Sequence, residues 1–147
     1  MLLHNDGYFS CGEVSFKLPD GIYVDTNTDE VCGQGFLLVS PDESFRILID
    51  IKSKKLSAYE TLALNFNGEL SYRLIGEIES ISHGGLCGYK ALFENDKSLN
   101  EEYIFEVRGE EQVLIDVFVL IHKNSSCYDE EFKDATVAKI LDSIKFR

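Results

Sequence analysis

With 147 residues, 44% of them hydrophobic and 27% charged, the chain has the size and mix of one globular domain, 1–147, able to bury a sizeable core. Its net charge of −12 is spread along its length, 11 acids against 6 bases in residues 1–73 and 15 against 8 in residues 74–147. Such a surface repels phosphate backbones and anionic lipid, and no run approaches the roughly 20 apolar residues of a membrane helix, which argues against nucleic-acid partners and membrane insertion.

Tyr8 to Leu18 reads as a strand with Val14, Phe16 and Leu18 on one face, stopped by the turn signal Pro19-Asp20-Gly21. A short strand resumes over Ile22 to Asp25, and Thr26 to Cys32 is polar loop. Gly35 to Val39 and Phe45 to Ile51 form a hairpin across Ser40-Pro41-Asp42-Glu43, where Pro41 suits the second turn position. Ser57-Ala-Tyr-Glu60 has the spacing of a capping box, in which the serine hydroxyl accepts from the Glu60 N–H and the glutamate reaches back. Tyr59, Leu62, Ala63 and Phe66 follow at helical spacing, and Asn67-Gly68 ends that helix.

Four strands come next: Tyr72 to Ile81, Cys87 to Glu94, Glu102 to Val107 and Gln112 to Ile121. Turns at His83-Gly84-Gly85 and Arg108 to Glu111, with a polar loop over Asn95 to Asn100, make them antiparallel neighbours. The last strand is apolar on both faces, with Val113, Ile115, Val117, Val119 and Ile121 on one side and Leu114, Phe118 and Leu120 on the other, interrupted only by Asp116. Such a strand needs cover on both sides. The final helix supplies one cover. It starts near Ser125 or Ser126, buries Phe132, Thr136 or Val137, Ile140, Leu141 and Ile144, and carries early acids that suit its positive end. The expected fold class is α+β: a single antiparallel β-sheet flanked by two helices, an α/β/α sandwich.

Three features carry a family resemblance: the opening Phe16-Lys-Leu-Pro-Asp-Gly21, the mid-chain helix over Tyr59 to Phe66, and an ending of apolar strand, Tyr128 to Phe132 and Ile140-Leu-Asp-Ser-Ile-Lys-Phe146. In these the chain resembles the PsbP/DcrB-like superfamily, which includes the Ran-binding Mog proteins, although Ile22-Tyr23 stands where many relatives carry a tryptophan. The resemblance implies a sandwich around an antiparallel sheet and an accessory or binding role, with no catalytic residues to carry over.

No hydrolase, phosphate-loop or dinucleotide motif occurs. Cys11, Cys32, Cys87 and Cys127 lack metal or redox spacing and read as free thiols. His4, His83 and His122 read as surface histidines, and the pairs Glu101-Glu102 and Glu110-Glu111 as solvated charge, so no metal and no cofactor is expected. Asp116 is the sharpest polar candidate. Desolvated among Leu114, Val117 and Phe118, it would have a raised pKa and, with Tyr103, would mark a pocket between sheet and helix; paired with a lysine or arginine it would be structural. Tyr8, Phe9, Tyr23 and Phe36 form an aromatic edge able to recruit a peptide strand or helix, or else pack beneath the loop that follows.

The expected function is a non-catalytic binding, adaptor or accessory protein with a protein or peptide partner, a homodimer being one such arrangement. The alternative is a small-molecule-binding or hydrolytic domain using the Asp116 and Tyr103 pocket. The opening residues Met1 to Gly7 lack a basic, apolar leader, so the cytoplasm is the expected compartment. An exported chain with its signal removed would read the same.

Overall fold

The computed structural model describes residues 2–3, 7–11, 13–25, 36–64, 72–107 and 109–146. The expected loop at Thr26 to Cys32 and the helix stop at Asn67-Gly68 lie outside them. In chain order the elements are β1 (Leu2–Leu3), β2 (Tyr8–Cys11), β3 (Val14–Lys17), β4 (Tyr23–Val24), β5 (Phe36–Val39) and β6 (Phe45–Ser53), then α1 (Ala58–Leu64). After it come β7 (Arg73–His83), β8 (Leu86–Glu94), β9 (Ser98–Val107), β10 (Glu110–His122), α2 (Glu130–Ser143) and β11 (Lys145–Phe146).

The strand with two apolar faces, β10, lies at the middle of a seven-stranded antiparallel sheet of order β4-β5-β6-β10-β9-β8-β7. Its odd-numbered face, Ile115, Val117, Val119 and Ile121, packs with Phe45, Ile47, Ile49 and Phe105 in the larger core. Its even-numbered face joins a smaller core in which Leu114 meets Ala58 and Leu62 of α1 and Ala91, Phe93 and Ile104 of the sheet.

The expected single sheet between two helices is overturned. Among the described residues the protein is mostly β and has two sheets, the second of order β1-β2-β3-β11. Tyr8 to Leu18 is a hairpin rather than one strand, because β2 pairs antiparallel with β3, Cys11 with Val14 and Tyr8 with Lys17. β11 then returns beside β3, pairing Lys145 with Ser15 and Phe146 with Val14. The larger core is therefore closed by α2 together with this small sheet, through Val14, Phe16, Val137, Ile140, Leu141 and Ile144.

Other boundaries move for local reasons. α2 starts at the N-cap Asp129, whose carboxylate accepts the Phe132 N–H at 3.2 Å, not at Ser125 or Ser126. Ser98 to Asn100 belongs to β9 because Asn95 folds its side chain over the turn, accepting from the N–H groups of Lys97 (2.9 Å) and Ser98 (2.8 Å). The capping serine is present, Ser57 Oγ accepting from the Glu60 N–H at 3.2 Å, but the Glu60 carboxylate reaches back to the Ser57 hydroxyl, which donates to Oε1 at 2.9 Å, and not to the backbone N–H of a full capping box.

Candidate functional site

Side chains alternate across each strand, so the outer strands present a second set of residues on the α2 side of the sheet. There β7 offers Glu79, Ile81 and His83, β8 offers Lys90 and Leu92, and β9 offers Glu101 and Tyr103. α2 runs past them with Glu130, Lys133, Asp134, Val137, Ala138 and Leu141 at helical spacing. Between these walls lies an open groove of about 470 Å³. A smaller cavity of about 280 Å³ shares Glu79, Lys90 and Leu92 with it and extends it along β7 to Ile75 and Gly76.

The polar groups of the groove are mostly bound to one another. Lys133 is only 3% exposed and its ammonium meets Glu101 and Asp134. Burial would lower the Lys133 pKa, but hydrogen bonds to Asp134 and Glu101 outweigh it and the group is held above the usual lysine range. Tyr103 donates its hydroxyl to Glu101 Oε1 at 2.8 Å. Burial first, then the Glu101 charge, push that phenol far above the ordinary tyrosine range, so it stays protonated. Lys90 sits 5.6 Å from the centre of the Tyr103 ring. At the far end His83 Nδ1 lies 3.2 Å from Asp142 Oδ1, with its ring edge-on to Phe105 at 6.1 Å. Ser82 and Cys87, paired across β7 and β8, occupy the opposite pleat from His83 and offer it no nucleophile.

Tyr103 thus lines the groove between sheet and helix, but Asp116 does not share it. The register pairs Asp116 with Ile104 and Val117 with Tyr103, which puts the two candidates on opposite faces. Asp116 is buried, its Oδ2 lies 2.8 Å from Lys52 Nζ, and its Oδ1 has no hydrogen-bond partner among the described residues. Asp50 stands directly across from it in β6. Burial is the largest influence on Asp50 and raises its pKa, with Lys52 opposing and Asp116 adding to the rise. The aromatic residues are divided as well. Tyr8 and Phe9 lie in the small sheet, Tyr8 beneath the ammonium groups of Lys145 (4.6 Å) and Lys17 (5.6 Å), and Phe9 against Phe16 at 6.3 Å. Tyr23 is 44% exposed in β4, where it donates to Glu43 at 3.3 Å. Phe36 belongs to β5, and its side chain lies outside the described part.

Sequence reasoning did not single out Lys133 as a site residue, nor the pairing of His83 with Asp142. The signal for Lys133 was available. It falls in the apolar stripe of α2 with Val137, Ile140 and Ile144, and Glu101 falls in the apolar face of β9 with Tyr103 and Phe105. Two opposite charges, each interrupting an apolar pattern, are the mark of a buried pair. Cys87 and Cys127 are free and exposed; Cys32 and the side chain of Cys11 lie outside the described part.

Fold and groove together define a mostly-β, two-sheet domain with an open, internally ion-paired cleft beside its outermost strand. No family model matches the chain, and no curated protein matches it. A solved structure of similar fold is that of LpqN, involved in cell envelope biogenesis of Mycobacterium tuberculosis. The likeness has 10% sequence identity and a TM-score of 0.61, covers 90% of this chain and 82% of that one, and is one of fold alone. Among the described residues no helix is long and apolar enough to cross a membrane.

Proposed function

We propose that the protein is a non-catalytic binding or adaptor protein that seats a segment of a protein or peptide partner in the groove between α2 and β7–β8. One observation carries this reading. The groove is open, with Ile81, Leu92, Val137 and Leu141 set among polar residues, while its reactive-looking groups are already committed to one another, Lys133 and Tyr103 to Glu101 and His83 to Asp142. A small-molecule or hydrolytic pocket would instead need convergent free polar groups. Asp116, expected to serve such a pocket, faces away from it. The accessory roles implied by the resemblance to the PsbP/DcrB-like superfamily agree with this reading, and the exposed free thiols Cys87 and Cys127 agree with a reducing compartment such as the cytoplasm.

The test is selection of binders from a displayed random-peptide library on the immobilised protein, followed by binding of each to the Ala138→Trp variant. Ala138 is an exposed residue of the α2 wall, so the indole obstructs the groove without entering the core. Selected peptides should lose at least tenfold in affinity for the variant. Undiminished binding would place the partner elsewhere and overturn the reading.

A further inference from the structure

β7 is the outermost strand of the large sheet, and among the described residues nothing pairs with its free edge. The ladder slips between Ile75 and Glu79, where Gly76 has φ +73°, and then runs in register from Glu79 to His83. In that stretch alternate backbone N–H and C=O groups point away from β8, a ready template for one more strand. Glu79, Ile81 and His83 face the groove, and Ser80 and Ser82 face the other side.

Charge selects the occupant. The groove holds Glu79, Glu101, Glu130 and Asp134 against Lys90 and Lys133, four carboxylates to two amines. Lys133 is taken by Glu101 and Asp134, and Lys90 lies over the Tyr103 ring. Glu79 and Glu130, one on each wall, have no ion-pair partner among the described residues and are exposed. A second copy of the chain would bring its own net charge of −12 to this edge, which opposes self-pairing. A helical occupant would leave the open backbone groups of β7 unmet.

Resting on the reading of the groove as a binding site, we propose that it takes a short, extended, basic segment of another protein. The segment is added as an antiparallel strand beside Glu79–His83. A Lys or Arg side chain faces Glu79, and an apolar side chain two residues away lies on Ile81. The backbone ladder supplies the strand geometry, and the alternate side chains supply the choice.

Three acetylated, amidated peptides test this on the whole protein. The first is Thr-Lys-Thr-Val-Thr-Lys-Thr, which puts Lys, Val and Lys on one face in either direction. In the second both lysines are Glu, and in the third both are Gln. Binding is followed by NMR titration of backbone amides. The Lys peptide should bind most tightly and shift the amides of Glu79 to His83. It should weaken about fivefold or more on Glu79→Lys or Glu130→Lys, each a change at an exposed site. The Glu peptide should gain on the same variants. If the Gln peptide binds the groove as well as the Lys peptide and neither variant changes that, the groove reading stands and the basic partner is refuted. If no peptide shifts Glu79–His83 while library-selected peptides still depend on Ala138, strand addition is refuted but the groove is not. If those selected peptides are also indifferent to Ala138→Trp, both readings fall. A concentration-dependent dimer that perturbs the β7 amides would replace the foreign strand with a second copy.

Discussion

Replacing Lys133 with methionine should be among the more damaging single changes on α2. Lys133 is 3% exposed and Glu101 6%, and the ammonium is the one cation in contact with that carboxylate among the described residues. With methionine the aliphatic stem is kept, but the Glu101 carboxylate stays buried with, among the described residues, the Tyr103 hydroxyl at 2.8 Å left to stabilise it. Stranding one partner of a buried pair costs about 3–5 kcal/mol. For a domain of this size that corresponds to a Tm lower by about 6–20 °C. Changing both partners, Lys133→Met with Glu101→Gln, removes the stranded charge, and should return to within about 1–2 kcal/mol of the wild type. pH gives an independent reading. The folded Lys133 pKa is raised, so its contribution is complete below the unfolded value near 10.4 and is lost as pH rises through the folded value. Above that unfolded value the wild type should therefore lose stability more steeply than Lys133→Met. Urea denaturation of the three proteins from pH 7 to 11.5 measures all of this. A single-variant loss under about 1 kcal/mol, or a double variant no more stable than the single, would show that the pair is not the buried, coupled unit described.

Three further outcomes follow from other parts of the fold. Gly88→Ala should destabilise by about 3 kcal/mol in urea melts, because its Cβ would fall 1.9 Å from the Ile104 carbonyl oxygen and 2.8 Å from the Phe105 Cα, backbone atoms of β9 that cannot swing aside; a loss under about 0.5 kcal/mol would contradict that close approach. Ser57→Ala removes the acceptor for the Glu60 N–H and should cost about 1 kcal/mol, while an unchanged urea midpoint would deny the cap any energetic role. Asp116→Asn removes the like charge opposite Asp50, so the Asp50 carboxyl, followed by its ¹³C shift against pH, should titrate lower. The change should be small because burial rather than Asp116 is the larger cause of the raised value, and a higher midpoint would refute the assignment.

What could be read from the sequence was local. The two apolar faces of β10 are a period-two pattern within one segment, and the Ser57 cap needs only Ser57 and Glu60, so both appear where expected. The second sheet was not legible, because it joins Val14–Lys17 to Lys145–Phe146, segments with no sequence relation to one another. The misreading of Tyr8 to Leu18 had the same root. The alternation of Val14, Phe16 and Leu18 is real, but only pairing partners show that a hairpin precedes it. Tyr103 and Asp116 illustrate a finer limit. Asp116 was identified as the polar interruption of an apolar strand and Tyr103 as its companion in a pocket, yet whether they meet depends on register alone. Pairing of Tyr103 with Val117 separates them, and a slip of one residue would have put them on one face.

Register also explains why the groove has the shape it has. The wall residues Val137, Ala138 and Leu141 are placed by whatever fixes α2 along the sheet, and apolar packing alone tolerates sliding because one methyl-bearing contact replaces another. Lys133 does not tolerate it. A shift of α2 by about one turn, three to four residues, would bring Asp129 or Glu130, or Thr136 or Val137, over Glu101 in place of the ammonium. Either arrangement leaves a buried carboxylate facing a like charge or a neutral side chain, with no cation to balance it. The desolvation that makes such a pair a poor source of net stability makes every misplaced alternative costly, so the pair selects one seating of the helix. With α2 seated, the groove keeps its width, and the exposed carboxylates Glu79 and Glu130 line it, one from the sheet and one from α2.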